Sequence, residues 1–331
     1  MQFESVSTEW FDSTALRLPP YKVGRVSYGN YGRSYVRINE DGTLETPFRL
    51  YTSLTTAIST CAPTEKPLLE WYCNLGMAEA DRQLRISQHY GTLMHEMFGV
   101  WLKEGQFDFG MVQPMIDGYL KAKDFWQPEV KTWERKLKFD LAAFCHFTRE
   151  RNVTPLGIEY VLLSERGFGT LIDLVCDMDI SETGFFGEVY KSGDNKGQPK
   201  ETKRRKRIRA IINFKSGRHA FYRTNGIQIE CEKQLWEENF PDMPLDAAFN
   251  WSPKEWEKEP GYNLKDWTGD ISQKEVDAVM ALAEVRFAQK AINKEYVEIY
   301  GTQWKTDPIK VIHKIGVEEF CTRKFSNTPK V

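Results

Sequence analysis

Asp173 stands inside the strongly apolar run Gly169-Thr170-Leu171-Ile172-Asp173-Leu174-Val175. A carboxylate in such a strand is costly to bury unless it meets a cation, either a nearby Arg or Lys or a bound metal ion. A second run, Ile208 to Lys215, alternates so that Ile208, Ala210, Ile212 and Phe214 share one strand face, while Arg209, Ile211, Asn213 and Lys215 share the other. Alone, Asn213 and Lys215 read as the outward polar residues of a half-exposed edge strand. A buried acid that needs a partner, on another strand of the same chain, makes a shared site the reading to test.

Together the two strands resemble the core of the PD-(D/E)XK nuclease superfamily, in its RecB-like and phage exonuclease branch. Ile212-Asn213-Phe214-Lys215-Ser216-Gly217 resembles that branch's Ile-Asp-Phe-Lys-Thr-Gly, and Asp173 matches the aspartate of its Gly-x-x-x-Asp strand. Glu159 matches the acid on the preceding strand, and Gln228 the glutamine of the helix that follows. Upstream, Tyr51-Thr52-Ser53-Leu54-Thr55-Thr56, Lys66-Pro67-Leu68-Leu69-Glu70-Trp71 and Gly91-Thr92-Leu93-Met94-His95-Glu96 look like the N-terminal helical part, whose Gly-Thr-x-x-His helix contributes a histidine. Each piece is weak alone. Their order and spacing over residues 50–250 carry the resemblance.

The resemblance implies an α+β fold with an α/β core: a central mixed β-sheet flanked by helices, restriction-endonuclease-like, with N-terminal and C-terminal helical elaborations. It implies phosphodiester hydrolysis, which needs an activated water and stabilisation of charge on phosphate oxygens, supplied by hard divalent cations on carboxylates. One or two Mg²⁺ or Mn²⁺ ions would be held by Asp173, Glu159, the Asn213 side chain and the Phe214 carbonyl, with His95 as an additional ligand. Lys215 would orient the attacking water and offset transition-state charge, and Gln228 would orient the site or contact substrate. Outside that pattern, His95 reads as a satisfied helix histidine, Glu159 as a solvent-facing strand acid and Gln228 as a helix surface residue.

One position departs from the pattern. Asn213 stands where the family has Asp or Glu, keeping the shape and one carbonyl oxygen but removing a negative charge. Metal affinity and rate are expected to fall. The asparagine reads either as an introduced inactivating change or as an acid lost naturally, and the rival function is a catalytically degenerate DNA-binding protein.

Lys200, Lys203, Arg204, Arg205, Lys206, Arg207 and Arg209 crowd into ten residues that lead into the second strand. Such a run is usually a solvated face, but its place next to the Asn213 motif points to contact with a nucleic-acid backbone. The aromatic segment Phe249 to Trp256 could stack on bases, although tryptophan-rich segments more often pack a core. The resemblance implies DNA as substrate, an exonuclease role in phage-type recombination or replication, and a single-strand annealing protein as partner. Polarity, end requirement and oligomeric state stay open, a homo-oligomer among the options.

The elements that must position these residues follow from periodicity. Residues 1–50 read as an extension of turns and short strands, broken at Pro19-Pro20, Gly29-Asn30, Gly32 and Asp41-Gly42. Two helices are expected between Lys66 and Gly105, and another from Glu134 to Arg149. Strands follow at Gly157 to Leu163 and Gly169 to Asp177, then an exposed loop or hairpin tip from Lys191 to Lys203. A helix is expected from Gly226 to Asn239, and another behind the capping-box spacing of Ser272-Gln273-Lys274-Glu275. The nuclease core is placed at 51–250, with 251–331 as a helical appendage whose end, from Thr322, frays.

The net charge of −2 excludes a polycation that binds nucleic acid through global charge. Cys61, Cys73, Cys145, Cys176, Cys231 and Cys321 form no C-x-x-C pair, so reduced packing residues are expected, and no iron–sulfur cluster. No apolar stretch suits a membrane span, which makes a cytoplasmic protein, in a bacterial host if phage-encoded, the default expectation.

Overall fold

The computed structural model describes residues 49–217 and 221–287 throughout, together with 6–7, 16–17, 20–27, 33–39, 45 and 310–313. The strands are β1 (Val6–Ser7), β2 (Lys22–Ser27), β3 (Arg33–Ile38), β4 (Tyr51–Ser53), β5 (Gln106–Phe107), β6 (Thr154–Leu163), β7 (Phe168–Val189), β8 (Pro199–Phe214), β9 (Ala247–Pro253), β10 (Tyr262–Asp266) and β11 (Lys310–His313). The α-helices are α1 (Leu54–Cys61), α2 (Lys66–Leu75), α3 (Met77–Glu104), α4 (Val112–Lys123), α5 (Trp133–Glu150), α6 (Arg223–Asn239) and α7 (Gln273–Arg286). All strands but β1 and β5 join one open nine-stranded sheet, ordered β10-β9-β8-β7-β4-β3-β2-β11, with β6 paired to β7. The sheet is mixed: β4 runs parallel to β7 and β9 parallel to β8, while the other pairings are antiparallel. The chain is thus α+β, a mixed central sheet flanked by helices.

The alternation expected in β8 is what divides the core. Ile208, Ala210, Ile212 and Phe214 pack into the apolar layer built by α3, α4 and α5, whereas Ile211 packs with α1, α6 and α7 on the opposite face. Gly76, at φ 76°, separates α2 from α3, and Ser272 caps α7 by accepting from the Glu275 amide. On α6, a Cβ at Gly226 would lie 2.6 Å from the ring of Trp267, so only glycine lets this helix seat against the β10–α7 connection.

Two sequence expectations change, and a third is decided between its two alternatives. The loop read from Lys191 to Lys203 is shorter, because β8 already begins at Pro199, and β7 continues to Val189. This hairpin is held by charges directly opposite one another: Arg204 on Glu182 (2.8 Å), Arg207 on Asp179 (3.2 Å) and Arg209 on Asp177 (3.0 Å). The segment read as a helical appendage from 251 opens as strand: β9 and β10 extend the sheet beyond β8 before α7 forms. The aromatic segment packs as core: Trp251 is fully buried against Phe98 and Phe144, and Trp256 lies on Phe139. The breaks at Pro19, Gly29-Asn30, Gly32 and Asp41-Gly42, and the polar end from Thr322, lie outside the described residues.

Candidate metal centre

The site forms where the sheet interrupts itself. On the edge of β7 away from β6, β8 pairs with residues from Leu174 onward and β4 with Phe168 and Gly169. Among the described residues no strand pairs with residues 170–173 on that edge. Both β6 and β7 also change phase there. Tyr160 and Ile172 pack into the layer of α1, α6 and α7, but Ile158 and Leu174, two residues away, pack into the layer of α3, α4 and α5. The residues at the change are Glu159 and Asp173. Glu159 accommodates it with φ at 50°, a left-handed conformation that costs a non-glycine residue about 1–3 kcal/mol and that is found most often at functional sites.

The phase change brings both acids under His95 of α3. Its Nδ1 lies 2.8 Å from Glu159 Oε1 and 3.5 Å from Asp173 Oδ1, and one ligand atom from each of the three residues falls within 4.8 Å of the others. Asp173 Oδ2 accepts from the Phe214 amide at 2.6 Å, and the Phe214 ring meets the His95 ring edge-on at 5.6 Å. Phe214, expected to act through its carbonyl, touches Asp173 through its amide. Burial pushes the Asp173 carboxyl up to about 6, against the pull of His95. Burial disfavours a charged His95, but the Asp173 and Glu159 carboxylates prevail and hold it up to about 9.

On the α6 side, Lys215 Nζ donates to Gln228 Oε1 at 3.2 Å, and Gln228 Nε2 donates to Glu232 Oε1 at 2.7 Å. Burial lowers the pKa of Lys215, opposed by Glu232 and Asp173. Asn213 Nδ2 also donates to Glu232, leaving the buried Asn213 Oδ1 without a partner. A groove lined by Thr55, Ser59, Thr64, Tyr222 and Asn225 leads to Gln228. His95, Glu159 and Asp173 thus meet directly, whereas Asn213, Lys215 and Gln228 meet one another around Glu232. Glu232 is the member that sequence reasoning did not single out.

The basic run does not converge with them. Arg204 stands nine residues before Asn213 on an extended strand, roughly 30 Å away. Arg204, Arg207 and Arg209 are spent on β7 carboxylates, and Arg207 also reaches the Asn152 carbonyl and Thr154 Oγ1. Lys203, Arg205 and Lys206 face Thr183, Ser181 and Ile180 instead, with no ion pair among the described residues.

No protein-family model matches the sequence, and no curated protein is similar to it. The donor set itself is a test of what the site can hold. One imidazole and two buried carboxylates could hold a divalent metal ion, whereas a soft metal would call for thiolates. The five described cysteines are free, and none belongs to this cluster.

A metal-free site of this kind carries a proton where a cation would sit. His95 is protonated at neutral pH through the nitrogen that faces both acids, so a cation binding there must displace that proton. Binding of Mn²⁺ at pH 7 is expected to release about one proton per ion, read by calorimetry in buffers of different ionisation enthalpy; buffer-independent heats would contradict this. In EDTA the sign follows from the raised pKa. The charged His95 stabilises the fold fully below its ordinary value of 6.5, and that stabilisation fades as pH rises through about 9.

Proposed function

We propose that this chain is a metal-dependent deoxyribonuclease with a restriction-endonuclease-like core of the PD-(D/E)XK type, acting as an exonuclease in phage-type recombination or replication. The observation that carries the reading is the His95–Glu159–Asp173 cluster, with Lys215 tethered beside it by Gln228. His95, Glu159 and Asp173 would hold the cation, Mg²⁺ or Mn²⁺, and the free oxygen of Asn213 offers a neutral donor. A bound divalent ion would supply Lewis-acid stabilisation of phosphate oxygens and lower the pKa of a coordinated water.

The protein's own groups do the rest. Lys215 is held half-buried and pointed by Gln228, so its ammonium is fixed in place to offset charge growing on a phosphate. Gln228, which holds that ammonium, also lines the groove with Thr55, Ser59, Tyr222 and Asn225, and that groove would be the approach of a strand. Lys203, Arg205 and Lys206, which among the described residues of the β7–β8 hairpin pair with no carboxylate, are suited to backbone phosphates at a distance from the cutting site. A single-strand annealing protein as partner and a homo-oligomeric state belong to the same proposal, as does residence in the cytoplasm. For the described residues the observation is narrower: no helix is long and apolar enough to cross a membrane.

Asn213 favours a second reading, a DNA-binding protein with a disabled site. The two are separated by incubating the chain with linear, covalently closed circular and single-stranded DNA in Mg²⁺ and in Mn²⁺. The nuclease reading expects the linear duplex to be degraded while the closed circle survives. Binding to all three with cleavage of none would leave the degenerate protein.

A further inference from the structure

Glu232 is the residue of the site that no sequence pattern announces, and its surroundings are unusual for an acid. Its relative exposure is 0%, yet among the described residues it forms no ion pair. Its hydrogen-bond donors are all neutral: Gln228 Nε2 at 2.7 Å, Thr170 Oγ1 at 3.2 Å and Asn213 Nδ2 at 3.2 Å. Burial, followed by the nearby Asp173 charge, outweighs the nearby Lys215 ammonium that favours its charge and pushes it up to about 7, a cost that a further cation would relieve.

Two independent features show what it faces. Thr170, one of its donors, belongs to the stretch of β7 that pairs with β6 on one edge and, among the described residues, with no strand on the edge shared by β4 and β8. Asn213, only 4% exposed, turns its amide nitrogen to Glu232, and its oxygen is the buried atom that finds no donor. The hydrogen bond to Glu232 therefore fixes which end of the amide is offered to the rest of the site.

We infer that Glu232 is a positioning residue for the metal centre: it supplies, one hydrogen bond away, the negative charge that position 213 lacks, and it clamps Asn213 with the amide oxygen turned toward the cation. The inference rests on the metal-dependent reading above. Asn213 then marks a relocated charge rather than a lost one.

The test moves the charge back. Glu232→Gln is nearly isosteric and removes the charge; the double variant Asn213→Asp with Glu232→Gln restores one carboxylate on the other side of the same hydrogen bond, with the introduced glutamine amide as donor. Mn²⁺ affinity is measured by calorimetry for the wild-type chain, both variants and Asp173→Asn, and DNA cleavage is measured in parallel. Glu232→Gln is expected to weaken Mn²⁺ binding about 10–100-fold, the usual effect of removing a group that supports a ligand, and the double variant to return to within a few-fold of wild type. A buried side chain with a merely structural role would not be rescued by Asp at 213. Wild-type affinity in Glu232→Gln, or no rescue in the double variant, overturns the inference while Asp173-dependent binding keeps the metal centre intact. Absence of any Asp173-dependent binding overturns both.

Discussion

Asp173→Asn is expected to lower divalent-metal-dependent DNA cleavage roughly 10³-fold or more, about 4 kcal/mol of transition-state stabilisation. Asparagine is the informative replacement, because it keeps an oxygen for the Phe214 amide that Asp173 accepts at 2.6 Å and so leaves that buried donor satisfied. Only the charge is removed. Burial already raises the Asp173 pKa to about 6, so the ionised side chain is a cost to the metal-free fold, present once the pH exceeds its ordinary carboxylate value. Losing it also removes one of the two charges that hold His95 protonated, so the variant's thermal midpoint in EDTA should change little at pH 7, whereas the stabilisation that Mn²⁺ gives the wild-type chain should vanish. A midpoint lowered in EDTA, with cleavage reduced only in proportion to the unfolded fraction, would assign Asp173 a structural role instead.

Lys215→Ala should separate rate from metal binding. Lys215 Nζ is held by Gln228 and faces the charges of Asp173 and Glu232, which oppose the effect of burial on its ammonium. Removing that positive charge leaves the carboxylates short of a cation, so Mn²⁺ affinity should stay the same or tighten. Cleavage should drop about 10²–10³-fold, the range typical of losing one fixed electrostatic donor to a transition state. Unchanged cleavage would show that Lys215 serves only as a counter-ion within the fold.

Much of the site was legible in the sequence because the relevant residues break a local pattern. Asp173 interrupts an apolar strand, and the alternation of β8 places Asn213 and Lys215 on the face opposite Ile212 and Phe214, in line with the two apolar layers. Glu232 was not legible. It sits four residues after Gln228 on a helix that also carries Glu230, Glu237 and Glu238, and nothing in that spacing tells the one buried acid from its neighbours. It is buried through tertiary contacts, with Thr170 of β7 and Asn213 of β8, that helix spacing does not reveal.

The same limit applies to the hairpin. A run of lysines and arginines reads as a loop or a phosphate-binding face until the register of β7 is known, and that register sets three of the cations opposite Glu182, Asp179 and Asp177. The Phe249–Trp256 segment was ambiguous for a different reason. Pro253 and the polar residues around it suggest a loop, but the parallel pairing of β9 with β8 buries Trp251 and sets Asn250 opposite Asn213. Glu159 matched a pattern by position, but its φ of 50° has no signature in an isoleucine–glutamate–tyrosine sequence.

Whether a divalent cation held under His95 by Glu159 and Asp173 cuts DNA is tested most directly by stripping the protein with EDTA and titrating Mn²⁺ back onto it with linear duplex DNA. The stripped wild-type chain should be inert, cleavage should return with added Mn²⁺, and the Asp173→Asn variant should stay inert across the titration. Equal cleavage by the two chains, or no cleavage by wild type at any Mn²⁺ concentration, would contradict it.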